Sequence, residues 1–330
     1  MTTTTRRRLI GIMVAAAVAA VAPVTGCTSS STTIGPATTA ATSASPGTTA
    51  AQPTAPASVS TNFPVTVNGA NGAVTVNALP TAIVSLSPTA TEMLFAIGAG
   101  KQVVAVDDRS TYPADAPLTD LSGAKPDVAA IAARKPDLVV IADDSSKLST
   151  ALAAQGIPVL VQTPATTFDD VYAQLGELGR AVGKSAEAKG VADQMSSTIT
   201  ELMARAPKRA LRVYHEVDAS LRAAASTSLV GQVYRAFGVT NIADKADADA
   251  SGYPQLSSGY VVAADPEVIF LADTTAGKQD ATTVSARAGW AGIAAVKNKR
   301  IVNLDDDVAS RWGPRLVLLV QAVGDALAKV

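Results

Sequence analysis

Cysteine, histidine and charge are scarce in this chain, and each scarcity excludes a class of protein. One cysteine among 330 residues excludes a disulfide scaffold and a zinc site of the CxxC type. One histidine, with no GxSxG, HExxH or Walker A motif, argues against an enzyme and against a metal held by the protein itself. A formal net charge of −1 excludes a strongly basic protein, so no nucleic-acid partner is expected.

The charged residues are unevenly distributed along the chain. They make up 17 % of it, against a typical value of about 25 %, but none occurs between residues 9 and 91. Within residues 92–330 the charged fraction is about 22 %, which is ordinary for a folded domain. Hydrophobic residues make up 48 % of the chain, enough for a sizeable core, and the length suits more than one domain.

The N-terminus has the pattern of an export signal. Arg6–Arg8 precede an apolar run to Ala22, which is shorter than the roughly 20 residues of a comfortable membrane span. Val24–Cys27 resembles a bacterial lipobox, which implies a signal peptide over residues 1–26 and a lipid, such as palmitate, on Cys27. The alternative is a plain secretory signal with a chance cysteine. Both Sec and twin-arginine export stay open.

A second segment of unusual composition follows Cys27. Residues 28–60 are Ser, Thr, Ala, Pro or Gly at all but three positions, so they cannot bury enough apolar surface to offset the entropy of ordering. We expect residues 27–62 to be a lipidated cysteine and a disordered tether that holds a folded body off the membrane. Whether the tether is glycosylated is not readable from its composition.

The remaining chain alternates short apolar runs with helical patterns, which predicts parallel α/β sheets. An opening hairpin is predicted over residues 63–79. The predicted strands are 83–86, 103–106, 138–142, 159–162, 211–215, 268–272 and 301–304. The predicted helices are 89–97, 128–134, 148–155, 229–237 and 314–327.

Two further features indicate a bilobal body. Residues 135–143 and 265–273 share a sequence motif, in which Pro and an acidic residue precede a buried strand that ends at Asp. Residues 168–205 show helical spacing over a far longer stretch than any other segment, interrupted only at Gly183. Together they predict an N-terminal lobe over 63–167, an interlobe helix over 168–205 and a C-terminal lobe over 206–330.

Six motifs, in order over residues 63–330, resemble the class III (cluster A-II) substrate-binding proteins of ABC importers. They are residues 83–98, 112–113, 133–140, 238–242, 253–257 and 313–315. The resemblance implies two Rossmann-like α/β lobes joined by one long rigid helix. It also implies a cleft between the lobes that takes a ferric siderophore, haem or cobalamin.

The resemblance implies docking onto an ABC permease through one glutamate on each lobe. The matching positions in this chain are Ala129 and Gly259, so docking is in doubt, with Asp127 and Asp265 as nearby substitutes. The protein is expected to act as a monomer on the extracytoplasmic face of the cell membrane, in the periplasm or cell envelope.

Candidate ligand-binding residues lie in loops that follow predicted strands, where ligands of such folds sit. Arg109 offers a planar fork of donors, but it could instead pair with a neighbouring aspartate. Tyr253 aligns with a cleft aromatic of the family. Arg311 with Trp312 could clamp a flat anionic ligand by charge and stacking.

Four other residues complete the candidate set. Arg287 and Trp290 repeat the arginine–tryptophan pattern of the previous pair, although hinge-side packing is the alternative for both tryptophans. Arg222 follows a strand and is a weaker candidate. His215 ends a strand and could ligate haem iron, or it could be a structural hydrogen-bonding group.

These residues and motifs predict a lipid-anchored binding protein, without an intrinsic cofactor, that captures an Fe(III)–siderophore complex for an ABC importer. Haem is the alternative ligand, and cobalamin ranks third because few aromatics lie near the predicted cleft. A cell-envelope scaffold without a transport role is a further alternative, motivated by the missing docking glutamates.

Overall fold

The computed structural model describes residues 63–205 and 210–330. The predicted signal peptide, Cys27 and the predicted tether lie outside the described residues. None of the helices in the described ranges is both long and apolar enough to cross a bilayer.

The N-terminal lobe is built on a hairpin and a parallel sheet. Its elements, in chain order, are β1 (Val65–Gly69), β2 (Gly72–Val76), β3 (Ile83–Leu86), α1 (Pro88–Ala96), β4 (Val103–Val106), α2 (Val128–Ala132), β5 (Leu138–Ile141), α3 (Leu148–Ala153) and β6 (Val159–Val161). β1 and β2 form an antiparallel pair, and the other strands form a parallel sheet of order β4-β3-β5-β6.

The C-terminal lobe repeats this plan with a larger sheet. Its elements are β7 (Arg212–Asp218), β8 (Arg222–Ala223), α6 (Leu229–Ala236), β9 (Thr240–Asn241), α7 (Ser258–Ala264), β10 (Val268–Leu271), α8 (Ala281–Ser285), α9 (Ala294–Lys297), β11 (Ile301–Asn303), α10 (Asp306–Ser310) and α11 (Leu316–Ala328). The sheet has the order β11-β10-β7-β8, with β9 also pairing with β7, and only β8 runs antiparallel to its neighbour.

The sequence motif shared by residues 135–143 and 265–273 occupies equivalent places in the two lobes. α2 and α7 are short helices, and each is followed by a residue with positive φ, Lys135 at 51° and Asp265 at 45°. A proline then leads into a fully buried strand, β5 or β10. The predicted doubling of an α/β unit is therefore confirmed, because both the sequence and the backbone turn recur.

The long helical segment between the lobes is divided, which corrects the prediction of one helix over 168–205. It forms α4 (Phe168–Ala181) and α5 (Ser185–Arg205), which pack against each other. Gly183 ends α4 with φ of 71°, a conformation that favours glycine. Gly179 admits the close approach of Ala188, since a Cβ built on it would lie 2.3 Å from the Ala188 Cβ.

The two helices contact different lobes. α4 packs against β1 and α1 of the N-terminal lobe, and α5 packs against α4 and α11. The helix that leads to the C-terminal lobe is therefore α5, with 21 residues and a length of about 30 Å. A single core of buried side chains includes residues of both lobes, such as Met93 and Leu94 on α1 and Leu316 and Leu319 on α11.

Candidate functional site

Three adjoining cavities open at the ends of the parallel strands, and together we call them the cleft. The first has a volume of about 440 Å³ and is lined by both lobes. The second, of about 170 Å³, shares Ser310, Arg311 and Trp312 with the first. The third, of about 250 Å³, shares Tyr253 and Ser310 with the second. Their position, at the carboxyl ends of the strands, is the usual place of ligands in open α/β sheets.

The N-terminal lobe presents a helix start and a loop to the first cavity. Ser87 caps α1 by accepting a hydrogen bond from the backbone N–H of Ala90 at 3.2 Å, so the positive end of the helix dipole lies at the cavity wall. The following loop carries Asp108 and Arg109, both of which line the cavity. The Arg109 side chain makes no hydrogen bond or ion pair to any residue of the described ranges, and Arg109 is exposed. The predicted candidate thus lies where a ligand can reach it.

A chain of buried hydroxyl groups fixes that loop. The Thr91 hydroxyl bonds to the hydroxyls of Ser85 and Ser110 at 2.9 and 3.0 Å. Ser110 in turn donates to Asp107 Oδ1 at 2.5 Å. Burial raises the pKa of the Asp107 carboxyl, although the bond from Ser110 opposes that shift. Because each hydroxyl group of this hydrogen-bonded network has a partner, the loop that carries Arg109 is held in one arrangement.

Arg311 lies in the cleft, as predicted, but its charge is already compensated. Its guanidinium donates to Glu92 Oε1 at 3.2 Å, to Asp307 Oδ1 at 2.7 Å and to the Arg109 carbonyl oxygen at 3.0 Å. Its side chain is only 10 % exposed. Arg311 therefore joins the two lobes and has little positive charge to offer a ligand.

Glu92 is the centre of this interlobe network, and the sequence predictions missed it. Its side chain is 1 % exposed, and it also accepts hydrogen bonds from Arg315 at 2.6 and 3.1 Å. Arg315 stacks over the ring of Tyr112 at 4.3 Å. The available signal was a single carboxylate in the otherwise uncharged α1 sequence PTATEMLFA, because a lone charge in an apolar helix needs a buried partner.

Trp312 lines the first and second cavities, as predicted. Its indole N–H donates to Gln174 Oε1 on α4 at 2.9 Å, so the ring is fixed by a contact with the helix that packs on the N-terminal lobe. Tyr253 is 42 % exposed and lines the second and third cavities. Arg222 lines the third cavity, with its Nε 3.6 Å from Asp218 Oδ2.

Two of the predicted ligand residues, Arg287 and Trp290, belong to the core of the C-terminal lobe. Trp290 is fully buried, and its N–H donates to Ser258 Oγ at 2.8 Å. Arg287 stacks on the Trp290 ring at 4.6 Å and makes two bonds of 2.6 Å to the buried Glu216. The structure therefore places both residues outside the cleft, because burial of Glu216 requires a cationic partner and the indole covers that pair.

His215 is also buried, yet it lines the third cavity. Its Nδ1 lies 2.7 Å from the Tyr234 hydroxyl. Burial lowers the pKa of His215 to about 3, so the imidazole is neutral at physiological pH. In the described ranges no three His, Cys, Asp or Glu side chains come together to hold a metal ion.

The two positions that the resemblance assigns to docking glutamates are structurally equivalent. Ala129 and Gly259 are exposed second residues of α2 and α7. The nearby carboxylates are engaged locally, since Asp127 accepts the N–H groups of Ala129 and Ala130. Asp265 bonds to Arg212 and to the Ala294 N–H. Neither face therefore presents a glutamate at its matching position.

Comparison with known proteins identifies relatives of this architecture. The chain is 29 % identical over 277 residues, 80 % of its length and 86 % of the relative, to the uncharacterized ABC transporter substrate-binding lipoprotein YvrC of Bacillus subtilis. It is 28 % identical over 273 residues, 79 % and 73 % of the two chains, to a cobalamin-binding protein of Halobacterium salinarum.

A solved structure shares the fold. The ABC-type Fe3+-hydroxamate transport protein of Saccharomonospora viridis superposes with a TM-score of 0.66 at 23 % identity, covering 80 % of this chain and 99 % of that one. The sequence profile described as periplasmic binding protein matches residues 83–308, which contain the larger sheet of each lobe and most of the cleft. This chain belongs to the periplasmic binding protein family.

Proposed function

We propose that this protein is an extracytoplasmic solute-binding protein of an ABC importer, and that its cleft captures a metal chelate of low net charge. Cobalamin is the first candidate, and a ferric siderophore of the hydroxamate type is the second. One observation carries the choice of ligand class, namely the balance of charges in the first cavity.

The cationic and anionic side chains of the first cavity are equal in number. Arg109 and Arg311 face Asp108 and Asp307, and Glu92 takes up further charge of Arg311 from behind. A ligand with several negative charges would be desolvated there without enough cations to compensate it. A neutral ligand with amide groups can instead accept from the arginines through its carbonyl oxygens and donate to the aspartates through its N–H groups.

This balance separates the ligands that the sequence left open. Ferric catecholates carry negative charge on the chelate itself, and haem carries it on the propionates. Of the cleft arginines, Arg109 is the single one that makes no ion pair in the described ranges, so the cleft offers one uncompensated cation to such ligands. Cobalamin and ferric trihydroxamates have carbonyl oxygens and little net charge. Cobalamin moves from third place among the sequence-based candidates to the first, because a relative with 28 % identity is a cobalamin-binding protein. In addition, Trp312 and Tyr253 line one cavity and supply apolar faces for a large macrocycle.

Delivery to the cell surface is the second part of the proposal. Cys27 in its lipobox-like sequence would carry the lipid, and residues 28–62 would span the distance between membrane and body. The relative YvrC is itself named a lipoprotein. The partner would be the permease of an ABC importer, contacted through faces that carry Ala129 and Gly259 instead of glutamates.

Binding titrations test the proposal. The full chain in mild detergent is titrated with cyanocobalamin, a ferric trihydroxamate, a ferric tricatecholate and haemin, and native mass spectrometry identifies any mass that copurifies from the host. We expect saturable one-to-one binding of one of the two low-charge chelates. Preferred binding of haemin or of the catecholate would contradict the assigned ligand class. No binding of any chelate, with unchanged uptake in a deletion strain, would favour the scaffold alternative.

A further inference from the structure

The wall of the third cavity carries one buried side chain, His215, whose hydrogen-bonding capacity is only half used within the described ranges. His215 is the central residue of β7, 1 % exposed, on the wall of this cavity. Only one of its two ring nitrogens, Nδ1, has a hydrogen-bond partner within the described ranges, and that partner is the Tyr234 hydroxyl. The remaining nitrogen, Nε2, makes no hydrogen bond within the described ranges and yet is not fully enclosed by protein atoms. Because His215 lines the third cavity, we take the accessible surface of Nε2 to face that cavity.

The Tyr234 hydroxyl determines which nitrogen carries the proton. Tyr234 is fully buried, and its hydroxyl has no hydrogen-bond partner in the described ranges other than His215. If Nδ1 carried the proton and donated it, the hydroxyl proton would be buried without an acceptor, which is costly. If the hydroxyl donates to Nδ1, both groups are satisfied and the proton of the neutral ring resides on Nε2.

Packing holds this pair in place. The rings of His215 and Tyr234 have centroids 5.7 Å apart, and Tyr234 also packs on Phe270 at 5.1 Å. The other polar groups on the cavity wall come from Arg222, Tyr253 and Ser310. Arg222 only donates hydrogen bonds, and the two hydroxyls can donate. The cavity is therefore suited to an acceptor oxygen and unsuited to an ammonium group.

We infer that His215 is a ligand-recognition residue that donates its Nε2–H to a carbonyl-type oxygen of the ligand, and that Tyr234 is the positioning residue that fixes this tautomer. The inference rests on the proposed function and refines it. The ligand must carry a neutral acceptor, such as an amide carbonyl oxygen, that reaches the third cavity. In this tautomer Nε2 has no free lone pair, so His215 is not a ligand for haem iron.

Nitrogen NMR tests the tautomer without any ligand. The sequence has one histidine, so a tag-free full chain labelled with 15N-histidine gives a single imidazole pattern. We expect Nε2 to have the shift of a protonated nitrogen and Nδ1 that of an unprotonated one. In Tyr234→Phe the two tautomers should mix. A protonated Nδ1 in the wild-type protein would overturn the inference.

Binding of cyanocobalamin and of a ferric trihydroxamate tests recognition. His215→Leu is made together with Tyr234→Phe, so that no hydroxyl is left unpartnered, and the melting temperature verifies folding. We expect affinity to fall about tenfold for the double variant, equal to about 1.4 kcal/mol. His215→Gln, whose side-chain amide can donate from a similar position, should bind within about threefold of wild type.

Binding of the chelates by the wild-type protein and by the double variant separates recognition by His215 from the proposed function. If the wild-type protein binds a chelate and the folded double variant binds it equally well, recognition by His215 is wrong while the proposed function stands. If the wild-type protein binds neither probe, the ligand assignment is wrong, and the nitrogen shifts alone decide whether a donor faces the cavity.

Discussion

Glu92 on α1 and Arg315 before α11 form a buried ion pair between the two lobes. The carboxylate accepts from the guanidinium at 2.6 and 3.1 Å, with side-chain exposures of 1 % and 17 %. The hydrogen bond that Arg315 donates to Glu92 raises the pKa of the guanidinium above its ordinary value, so Arg315 is always charged. Glu92 also accepts a hydrogen bond from Arg311 in the cleft. The same carboxylate therefore holds the two lobes together and compensates positive charge in the ligand site.

Removing the Glu92 charge should strongly destabilise the fold. Glu92→Gln removes the counter-charge of Arg315 and one of the two carboxylates that pair with Arg311, and we expect a loss of about 3 to 5 kcal/mol in the free energy of unfolding. Urea denaturation measures it. Glu187→Gln is the matched control, because Glu187 is exposed and pairs with Lys184 on the surface, and its cost should be below about 1 kcal/mol. Equal small losses for both variants would contradict a structural role for the interlobe pair.

Arg109 and Arg311 should respond differently to truncation. Arg109→Ala removes an exposed guanidinium, so ligand affinity should fall by about tenfold, or about 1.4 kcal/mol, while the melting temperature stays unchanged. Arg311→Ala removes three protein hydrogen bonds and should lower the free energy of unfolding by about 2 kcal/mol. Calorimetric binding and thermal melts measure the two effects. A stability loss at Arg109 equal to that at Arg311 would refute this division of roles.

The two tryptophans should report different events. Ligand binding should change the fluorescence of Trp312, which lines the cleft, and leave that of the buried Trp290 unaltered. In Trp290→Phe the ligand-induced change should persist, whereas in Trp312→Phe it should vanish. Trp290→Phe should also cost about 1 to 3 kcal/mol of stability, since it leaves a void and breaks the bond to Ser258. A ligand response that depends on Trp290 would restore it as a site residue.

Asp273 should make stability depend on pH in the sense opposite to most carboxylates. Both its oxygens are buried without a hydrogen-bond partner in the described ranges. Burial, followed by the nearby Glu216 carboxylate, raises its pKa to about 6. Between about pH 4 and pH 6 the folded state keeps a proton that the unfolded state has released, so its contribution to stability falls as pH rises.

The variant Asp273→Asn isolates this contribution. We expect it to stabilise the protein at pH 7 by about 1 to 2 kcal/mol, less at pH 4, as followed by urea denaturation at both values. Variant and wild type must be compared at each pH, because His215 also makes stability depend on pH. Its pKa is lowered to about 3 in the folded protein, so its contribution to stability falls as pH falls below the unfolded value of about 6.5. This contribution is common to both proteins and cancels in the difference. A variant that is no more stable at pH 7 than at pH 4, relative to wild type, would show that Asp273 is ionised freely.

Sequence patterns predicted the strands better than the helices. Buried runs such as Ile83–Leu86 and Leu138–Ile141 stand out because strands covered on both faces are continuously apolar. The short helices α8, α9 and α10 have four or five residues each, too few to show a period. The break at Gly183 was visible as a glycine, but the chain reversal depends on the contact between Gly179 and Ala188, which only the folded structure reveals.

Candidate residues could be located by loop but not by direction. Arg109 was located correctly because it follows β4 closely, whereas Arg311 and Trp312 follow α10 and Tyr253 lies well beyond β9. Arg287 and Trp290 have the same local pattern, yet Arg287 pairs with the buried Glu216, which is distant in sequence, and so lies inside the C-terminal lobe. Pair formation of this kind depends on contacts across the sheet, and residue type alone does not encode it.

The ligand class itself is tested most directly by comparing the affinities for charged and uncharged chelates. Calorimetric titration of the full chain with cyanocobalamin and a ferric trihydroxamate, in parallel with haemin and a ferric tricatecholate, measures it. We expect at least one low-charge chelate to bind with a dissociation constant of about 1 µM or below, and more tightly than either anionic ligand. Tighter binding of haemin or the catecholate would contradict the charge balance of the cleft as the basis of selection.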